Sequence, residues 1–314
     1  MPNLTRLPST PDPMFRWAGH GGVTIAADAW GDASGPPVIL MHGGGQTRHA
    51  WKGAGERLGA AGYRAIAFDA RGHGDSDWAP DGEYGQDLMV QDLLCVLEAV
   101  GADRPVLVGA SMGGGCSLVA VGEDHVDAAA LVLVDIAPRI EQQGARNITT
   151  FMSQNGFSSL EAVAEAIAGY QPHRPRPRAL DGLAKNVRLG DDGRYYWHWD
   201  PAFMQGTRPT GHRQDRLEEC ARSLTLPTLL VRGGLSDLLS EEGAQEFLAL
   251  CPHAEYVNVA DAAHMVAGDR NDIFADAVVE FLSRTVPVGG DPVQPSHEPH
   301  PHHVGPPEDI LDVP

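Results

Sequence analysis

The stretch Gly109-Ala110-Ser111-Met112-Gly113 constrains this chain more than any other, because of what flanks it. The run Pro105-Val106-Leu107-Val108 before it reads as a strand. The run Gly114-Gly115-Cys116-Ser117-Leu118-Val119-Ala120 after it reads as a helix. A Gly-x-Ser-x-Gly sequence alone arises by chance. Between a strand and a helix it describes a sharp turn that strains the serine backbone and lifts its hydroxyl clear of a sheet. The flanking glycines are required because a side chain at either position would collide with the neighbouring strand or helix. Ser111 is therefore a candidate nucleophile.

Short apolar runs alternate with helical periodicity on both sides of this turn. Pro37–Met41, Arg64–Asp69, Ala130–Asp135, Pro227–Arg232 and Glu255–Val259 have strand length, and Val23–Trp30 carries a partial alternation. The near-continuous apolar runs suit strands buried on both faces. Helices are expected from about Gln86 to Val100, near Ser240 to Leu250, and from about Arg270 to Leu282. Strands alternating with helices imply an α/β fold with a mostly parallel sheet covered on both faces.

That alternation stops at Pro138 and resumes after Leu224. The intervening segment is polar and Pro-punctuated, and reads as helical. Ser158-Ser159-Leu160-Glu161 has capping-box form and opens a helix through Ala168. Pro172–Pro177 is a breaker cluster, a further helix is expected over Leu180–Val187, and Tyr195–Trp199 is an aromatic cluster. The expected organisation is a core in two parts, residues 1–137 and 225–285, with a helical cap, 138–224, over the carboxyl ends of the strands. Residues 286–314 read as a flexible tail rich in Pro, Gly and His. A histidine cluster such as His297–His303 can bind metal, but an unused ligand set on a mobile tail is the simpler reading.

The net charge of −19 (23 basic against 42 acidic residues) argues against nucleic acid and anionic membranes as partners. No apolar run is long enough to span a bilayer, and the N-terminus has no export signal. Cys95, Cys116, Cys220 and Cys251 are scattered, with the spacing of neither a metal site nor a disulfide framework. They read as reduced, mostly buried residues of a cytoplasmic protein.

A serine hydroxyl needs a base in contact, and the base needs a partner that fixes its tautomer. Two loops at strand ends downstream of Ser111 offer both. Gly233-Gly234-Leu235-Ser236-Asp237 supplies Asp237 as the orienting acid, and Asp261-Ala262-Ala263-His264-Met265 supplies His264 as the base. The order Ser, acid, His suits a strand–helix enzyme of this type. Asp135 also ends a strand, beside the elbow strand, and is read as a brace for the start of the insertion. Asp261 lies too near His264 along the chain to face it easily.

Acyl transfer also needs donors aimed at a developing oxyanion. The Met112 N–H is one. The loop His42-Gly43-Gly44-Gly45-Gln46-Thr47 supplies the other, with Gly44 preferred over Gly45 and His42 as a brace. Trp197, Trp199, Phe203 and Met204 from the insertion, with Trp51 and Met265 from the core, are candidate pocket residues. Trp197 and Trp199 equally suit packing of the insertion onto the core.

These residues resemble the α/β-hydrolase superfamily over about Phe15 to Leu282. The segment Phe68-Asp69-Ala70-Arg71-Gly72-His73-Gly74-Asp75-Ser76 is similar to the Asp-x-Arg-Gly-x-Gly-x-Ser segment of the branch holding cofactor-free haloperoxidases, small esterases, lactonases, epoxide hydrolases and haloalkane dehalogenases. The segment is structural in that branch, so His73 takes no catalytic role. The His-Gly-Gly-Gly run is also similar to the hormone-sensitive-lipase branch, but the elbow there is Gly-Asp-Ser-Ala-Gly. The resemblance implies a mostly parallel eight-stranded sheet with a helical cap inserted after the sixth strand. It implies a serine esterase working through an acyl-enzyme, with no metal or organic cofactor and a small-molecule ester as its partner. Ser111 stands where dehalogenases and epoxide hydrolases have an aspartate nucleophile, and the oxyanion loop lacks the proline-containing form of perhydrolase-like members. A lactonase, a carbon–carbon-bond hydrolase, an acyltransferase or a slow-turnover small-molecule receptor would carry the same motifs. Activity of a histidine-dependent hydrolase is expected to fall below about pH 6 to 7 as the base protonates.

Overall fold

The computed structural model describes residues 3–8, 10–171, 180–205, 210–269 and 271–289. The strands in chain order are β1 (Leu4–Arg6), β2 (Phe15–Ala18), β3 (Thr24–Trp30), β4 (Pro37–Met41), β5 (Arg64–Phe68), β6 (Val106–Ala110), β7 (Ala130–Val134), β8 (Val187–Gly190), β9 (Tyr195–Trp197), β10 (Thr228–Gly233) and β11 (Glu255–Val259). Eight of them form one sheet in the order β11-β10-β7-β6-β4-β5-β3-β2. β3 alone runs opposite to the other seven. The helices are α1 (Lys52–Ala60), α2 (Gln86–Val100), α3 (Met112–Gly122), α4 (Gln142–Met152), α5 (Leu160–Tyr170), α6 (Ala202–Gln205), α7 (Thr210–Ser223), α8 (Glu241–Leu250), α9 (Val266–Asp269) and α10 (Asn271–Thr285).

The central strands are apolar at every position because both of their faces are covered. Successive side chains of a strand point to opposite faces. Val38 and Leu40 of β4, Val106 and Val108 of β6, and Val132 and Val134 of β7 pack with Leu58 of α1 and Phe274, Val278 and Phe281 of α10. The alternate residues Ile39, Met41, Leu107, Leu131 and Leu133 pack on the other side with Leu93 and Val96 of α2, Leu118 of α3 and Phe247 of α8. Each such buried side chain contributes roughly 1.5–3 kcal/mol. The parallel arrangement brings the carboxyl ends of β4, β6, β7, β10 and β11 to one edge of the sheet.

Between β7 and β10 lie α4, α5, a short 3-10 helix (Asp181–Asn186), the β8–β9 hairpin, α6 and α7. The helix α5 is capped one residue later than the capping-box spacing implies: Ser159 is the N-cap, and its hydroxyl accepts from Ala162 N at 3.2 Å. The expected helix over Leu180–Val187 is corrected, since only one 3-10 stretch forms before the chain turns into β8. The segment is therefore not wholly helical. Val187 and Leu189 on one strand and Tyr195 and Trp197 on the other are β-forming residues around a glycine turn. Gly193, at φ +76°, donates from its N–H to Gly190 O (3.0 Å) and closes that turn. β1 adds to β8 as a third, antiparallel strand and ties the N-terminal segment to the insertion.

The Pro172–Pro177 cluster and the tail from residue 290 onward lie outside the described residues. All four cysteines are free; Cys116, Cys220 and Cys251 are buried and Cys95 half-buried. No helix among the described residues is long and apolar enough to cross a membrane.

Candidate active site

Ser111 follows β6 directly and adopts φ +47° and ψ −109°, a conformation costly for any residue with a side chain. The glycines around it show why the motif is written as it is. A Cβ on Gly109 would sit 2.4 Å from Gly113 O, and one on Gly113 would sit 2.4 Å from Met41 O. One on Gly114 would meet Ile136 Cγ2 at 2.4 Å. The helix α3 can thus lie against β4 and β6, and the serine is held where the two meet. Met112 is the first residue of α3, in the turn whose N–H groups have no acceptor inside the helix.

The loop after β4 passes directly over Ser111: a Cβ on Gly43 would lie 3.3 Å from Ser111 Cβ. Gly43 N–H donates to Gln46 Oε1 (3.0 Å), and Gln46 N–H donates to Gly43 O (3.1 Å). The Gly43 amide is therefore already engaged. Gly44 follows it, and Gly45 turns the chain at φ +73°. His42 is buried beneath this loop. Its Nε2 accepts from Ala70 N (2.9 Å), so its Nδ1 donates to Gly43 O (2.8 Å). Burial pushes its imidazole below the ordinary histidine value, with Asp69 opposing. His42 is a neutral brace, as the sequence suggests.

The segment Asp69–Ser76 anchors the same loop. Asp69, fully buried, accepts from Arg48 N (2.6 Å), Arg48 Nη1 (2.6 Å) and Asp75 N (2.8 Å). Arg48, also fully buried, reaches Asp28 (2.9 Å) and Asp75 (3.0 Å). Burial disfavours the Arg48 charge, but Asp69, Asp28 and Asp75 together outweigh it and raise its pKa. Arg71 makes a two-pronged pair with Asp92 of α2 at 2.6 and 2.8 Å. His73 packs edge-on against Phe203, with ring centroids 4.7 Å apart.

The expected histidine and the carboxylate it meets come from loops at the same sheet edge. His264 is 13% exposed, and its Nδ1 lies 2.7 Å from Asp135 Oδ2. A carboxylate only accepts, so Nδ1 carries the proton and Nε2 keeps its lone pair. Asp135 is wholly buried and sits at φ +50° just beyond β7. It also accepts from Gly233 N (2.9 Å) and Ser236 Oγ (2.5 Å).

The structure thus pairs His264 with Asp135 and not with the expected Asp237. Asp237 is exposed, and its Oδ2 accepts instead from Asn147 Nδ2 of α4 at 2.7 Å. The helix lies directly on this loop, since a Cβ on Gly144 would be 2.2 Å from Asp237 O. Ser236, one residue earlier, faces inward to Asp135, while Asp237 faces outward to α4. Asp135 was readable as more than a brace: an acid continuing a strand apolar at all five positions needs a buried partner.

A cavity of about 700 Å³ opens beside His264. Its walls are Asn147, Thr150 and Phe151 of α4 with Gln154 just beyond it, Ala166, Gly169, Tyr170 and Gln171 at α5, and Leu235, Asp237, Ala263 and Met265 from the core loops. Met265 alone of the expected pocket residues lines it. Trp51 is buried on the opposite face of the sheet against Phe274, which removes it from the pocket. Trp197 and Trp199 stack on each other at 5.0 Å, both 2% exposed, and pack the insertion rather than line the cavity. Phe203 is buried against His73 and Tyr84, and Met204 packs at the edge of the core.

The α/β hydrolase fold family matches residues 36–270 of this chain. Esterase Rv0045c of Mycobacterium tuberculosis is 30% identical over 256 residues, covering 78% of this chain and 82% of that protein. The sn-1-specific diacylglycerol lipase ABHD11 of Mus musculus is 29% identical over 266 residues, covering 81% and 83%. The crystal structure of E-2-(acetamidomethylene)succinate hydrolase superposes with a TM-score of 0.75 at 26% identity, covering 86% of this chain and 98% of that one. With the eight-stranded sheet, the strained serine elbow and the histidine loop after β11, these matches make the chain a hydrolase and a member of the α/β-hydrolase fold family.

Proposed function

We propose that the protein is a serine esterase cleaving small carboxylic esters through Ser111, His264 and Asp135. The observation that carries this reading is the 2.7 Å contact between His264 Nδ1 and the buried Asp135, at the sheet edge where Ser111 is held on its elbow. His264 Nε2 takes the Ser111 hydroxyl proton as Oγ attacks the ester carbonyl. The N–H groups of Met112 and Gly44 receive the oxyanion, with Gly45 the second choice. The proton on His264 passes to the leaving alcohol, leaving an acyl-serine. Water, deprotonated by the same histidine, then releases the acid. Asp135 holds the required tautomer and stabilises the cation that forms twice per turnover.

Residues 138–224 act as the cap in this reading. α4 and α5 wall the cavity beside His264, so the acyl or alcohol group lies between them and the core loops. The names of the relatives, an esterase and a lipase, favour esters.

The test is hydrolysis of p-nitrophenyl esters from acetate to octanoate, with Ser111→Ala alongside. Turnover lost by about 10⁴-fold or more in the variant supports the reading. A wild type inactive on the whole series contradicts it and moves the search to lactones and vinylogous diketones.

A further inference from the structure

His198 lies in the cap, far along the chain from the elbow, yet it is 99% buried between two core loops. Its Nδ1 accepts from Gly74 N at 2.8 Å. That bond fixes the neutral tautomer with hydrogen on Nε2, and Nε2 faces Gly45 O at 3.3 Å. Burial pushes its imidazole well below the ordinary histidine value, with His73 and Arg188 adding to the effect. One ring therefore clips the loop after β4 to the loop after β5.

The rest of the same cap arm reinforces the clip. Asp200 N–H donates to Gly72 O (2.9 Å), and Asp200 Oδ2 accepts from Tyr84 Oη (2.6 Å). Phe203 closes over the loop, 3.7 Å from where a Cβ on Gly44 would stand. A Cβ on Gly45 would meet Trp199 Cζ3 at 3.3 Å. The two glycines expected to supply an oxyanion donor are thus held from the cap side by side chains of residues 198–203.

We infer that His198 is a positioning residue for the oxyanion hole, fixing the Gly45–Gln46 peptide through the Gly45 carbonyl and so anchoring the turn that carries the Gly44 and Gly45 N–H groups. The inference rests on the esterase reading above. A flexible run of three glycines would cost conformational entropy to align at each turnover. A donor held in place before reaction avoids that cost, which is how preorganised donors accelerate acyl transfer. The hole is then complete only when the cap is seated.

The two bonds of His198 can be separated. His198→Gln carries an amide that reaches the Nε2 position and can donate to Gly45 O. His198→Asn reaches only the Nδ1 position and can accept from Gly74 N. Both are measured on p-nitrophenyl acetate, whose acyl group is too small to need the cap pocket, alongside thermal midpoint and hydrogen exchange over residues 42–47. The expected result is a fall in kcat of about tenfold or more for His198→Asn at nearly unchanged KM, faster exchange in residues 42–47, and recovery of most of the loss in His198→Gln. Equal kcat losses in the two variants that track their thermal midpoints would overturn the inference, as would exchange in residues 42–47 no faster than wild type. If only His198→Asn folds, a kcat and an exchange in residues 42–47 like wild type overturn the inference; if only His198→Gln folds, a kcat loss of about tenfold or more overturns it. Ser111→Ala in the same assay reports the esterase reading separately, and the exchange result judges His198 whether or not the ester is the substrate.

Discussion

Asp135 and Asp237 lie beyond β7 and β10, strands hydrogen-bonded to each other in the sheet. The first is wholly buried, takes a left-handed backbone conformation and receives donors from Gly233, Ser236 and His264. The second is exposed and receives Asn147 from the cap. Both meet the positional criterion for an acid partner, a carboxylate at the catalytic edge after the elbow. They differ in surroundings. A carboxylate with converging donors is fixed in one geometry and can fix a base in turn, whereas an exposed one is screened by water. Distance along the strand order does not distinguish them; burial and hydrogen-bond partners do.

The largest stability effect is expected at the most deeply buried charge cluster. Arg48→Met strands Asp69, Asp28 and Asp75 without their common cation, and should cost about 3–5 kcal/mol in denaturant unfolding. An effect under about 1 kcal/mol would mean that water or other cations already compensate those carboxylates. Asp135→Ala leaves the Gly233 amide and the Ser236 hydroxyl without their acceptor, and should cost about 1–3 kcal/mol in the same experiment.

Buried neutral histidines give a smaller, pH-dependent term. Burial, with Arg48 adding, pushes His49 down to about 4 from an ordinary 6.5, and burial lowers His42 and His198 as well. The unfolded chain therefore binds more protons than the native one below about pH 6.5. Stability from these groups is present above that pH and is lost as pH falls towards 4. The thermal midpoint should decline across this window, and His49→Gln should flatten part of the decline. A slope the same in His49→Gln as in wild type would remove His49 from this account. Asn147→Ala, at the exposed end of the contrast, should change stability by no more than about 0.5 kcal/mol.

Much of the fold was legible because its determinants are local. Pro37–Met41, Glu255–Val259 and the helix Gln86–Val100 coincide with the elements expected from apolar runs and periodicity. The elbow was legible because glycine spacing encodes the close approach of α3 to β4 and β6. The β1–β8–β9 sheet was not, since Leu4–Arg6 and Val187–Gly190 are too short to signal themselves and meet only through a pairing between residues almost two hundred positions apart. Which of Asp135 and Asp237 meets His264 is not legible for a related reason. Loop position can be read from strand order, but which side chain of the Ser236-Asp237 pair faces inward depends on packing of α4 against that loop. The tryptophans show the same limit: Trp51, Trp197 and Trp199 are large apolar residues near the site in sequence terms, and all three are spent on packing.

The most direct test of the account is kcat/KM of Asp135→Asn and Asp237→Asn, both nearly isosteric, on the p-nitrophenyl ester that the wild type turns over best. The predicted result is a loss of about 10²- to 10⁴-fold in Asp135→Asn, from loss of the charge and tautomer control on His264, and a change of no more than a few-fold in Asp237→Asn. A large loss in Asp237→Asn with Asp135→Asn close to wild type would contradict it and return the acid role to the loop after β10.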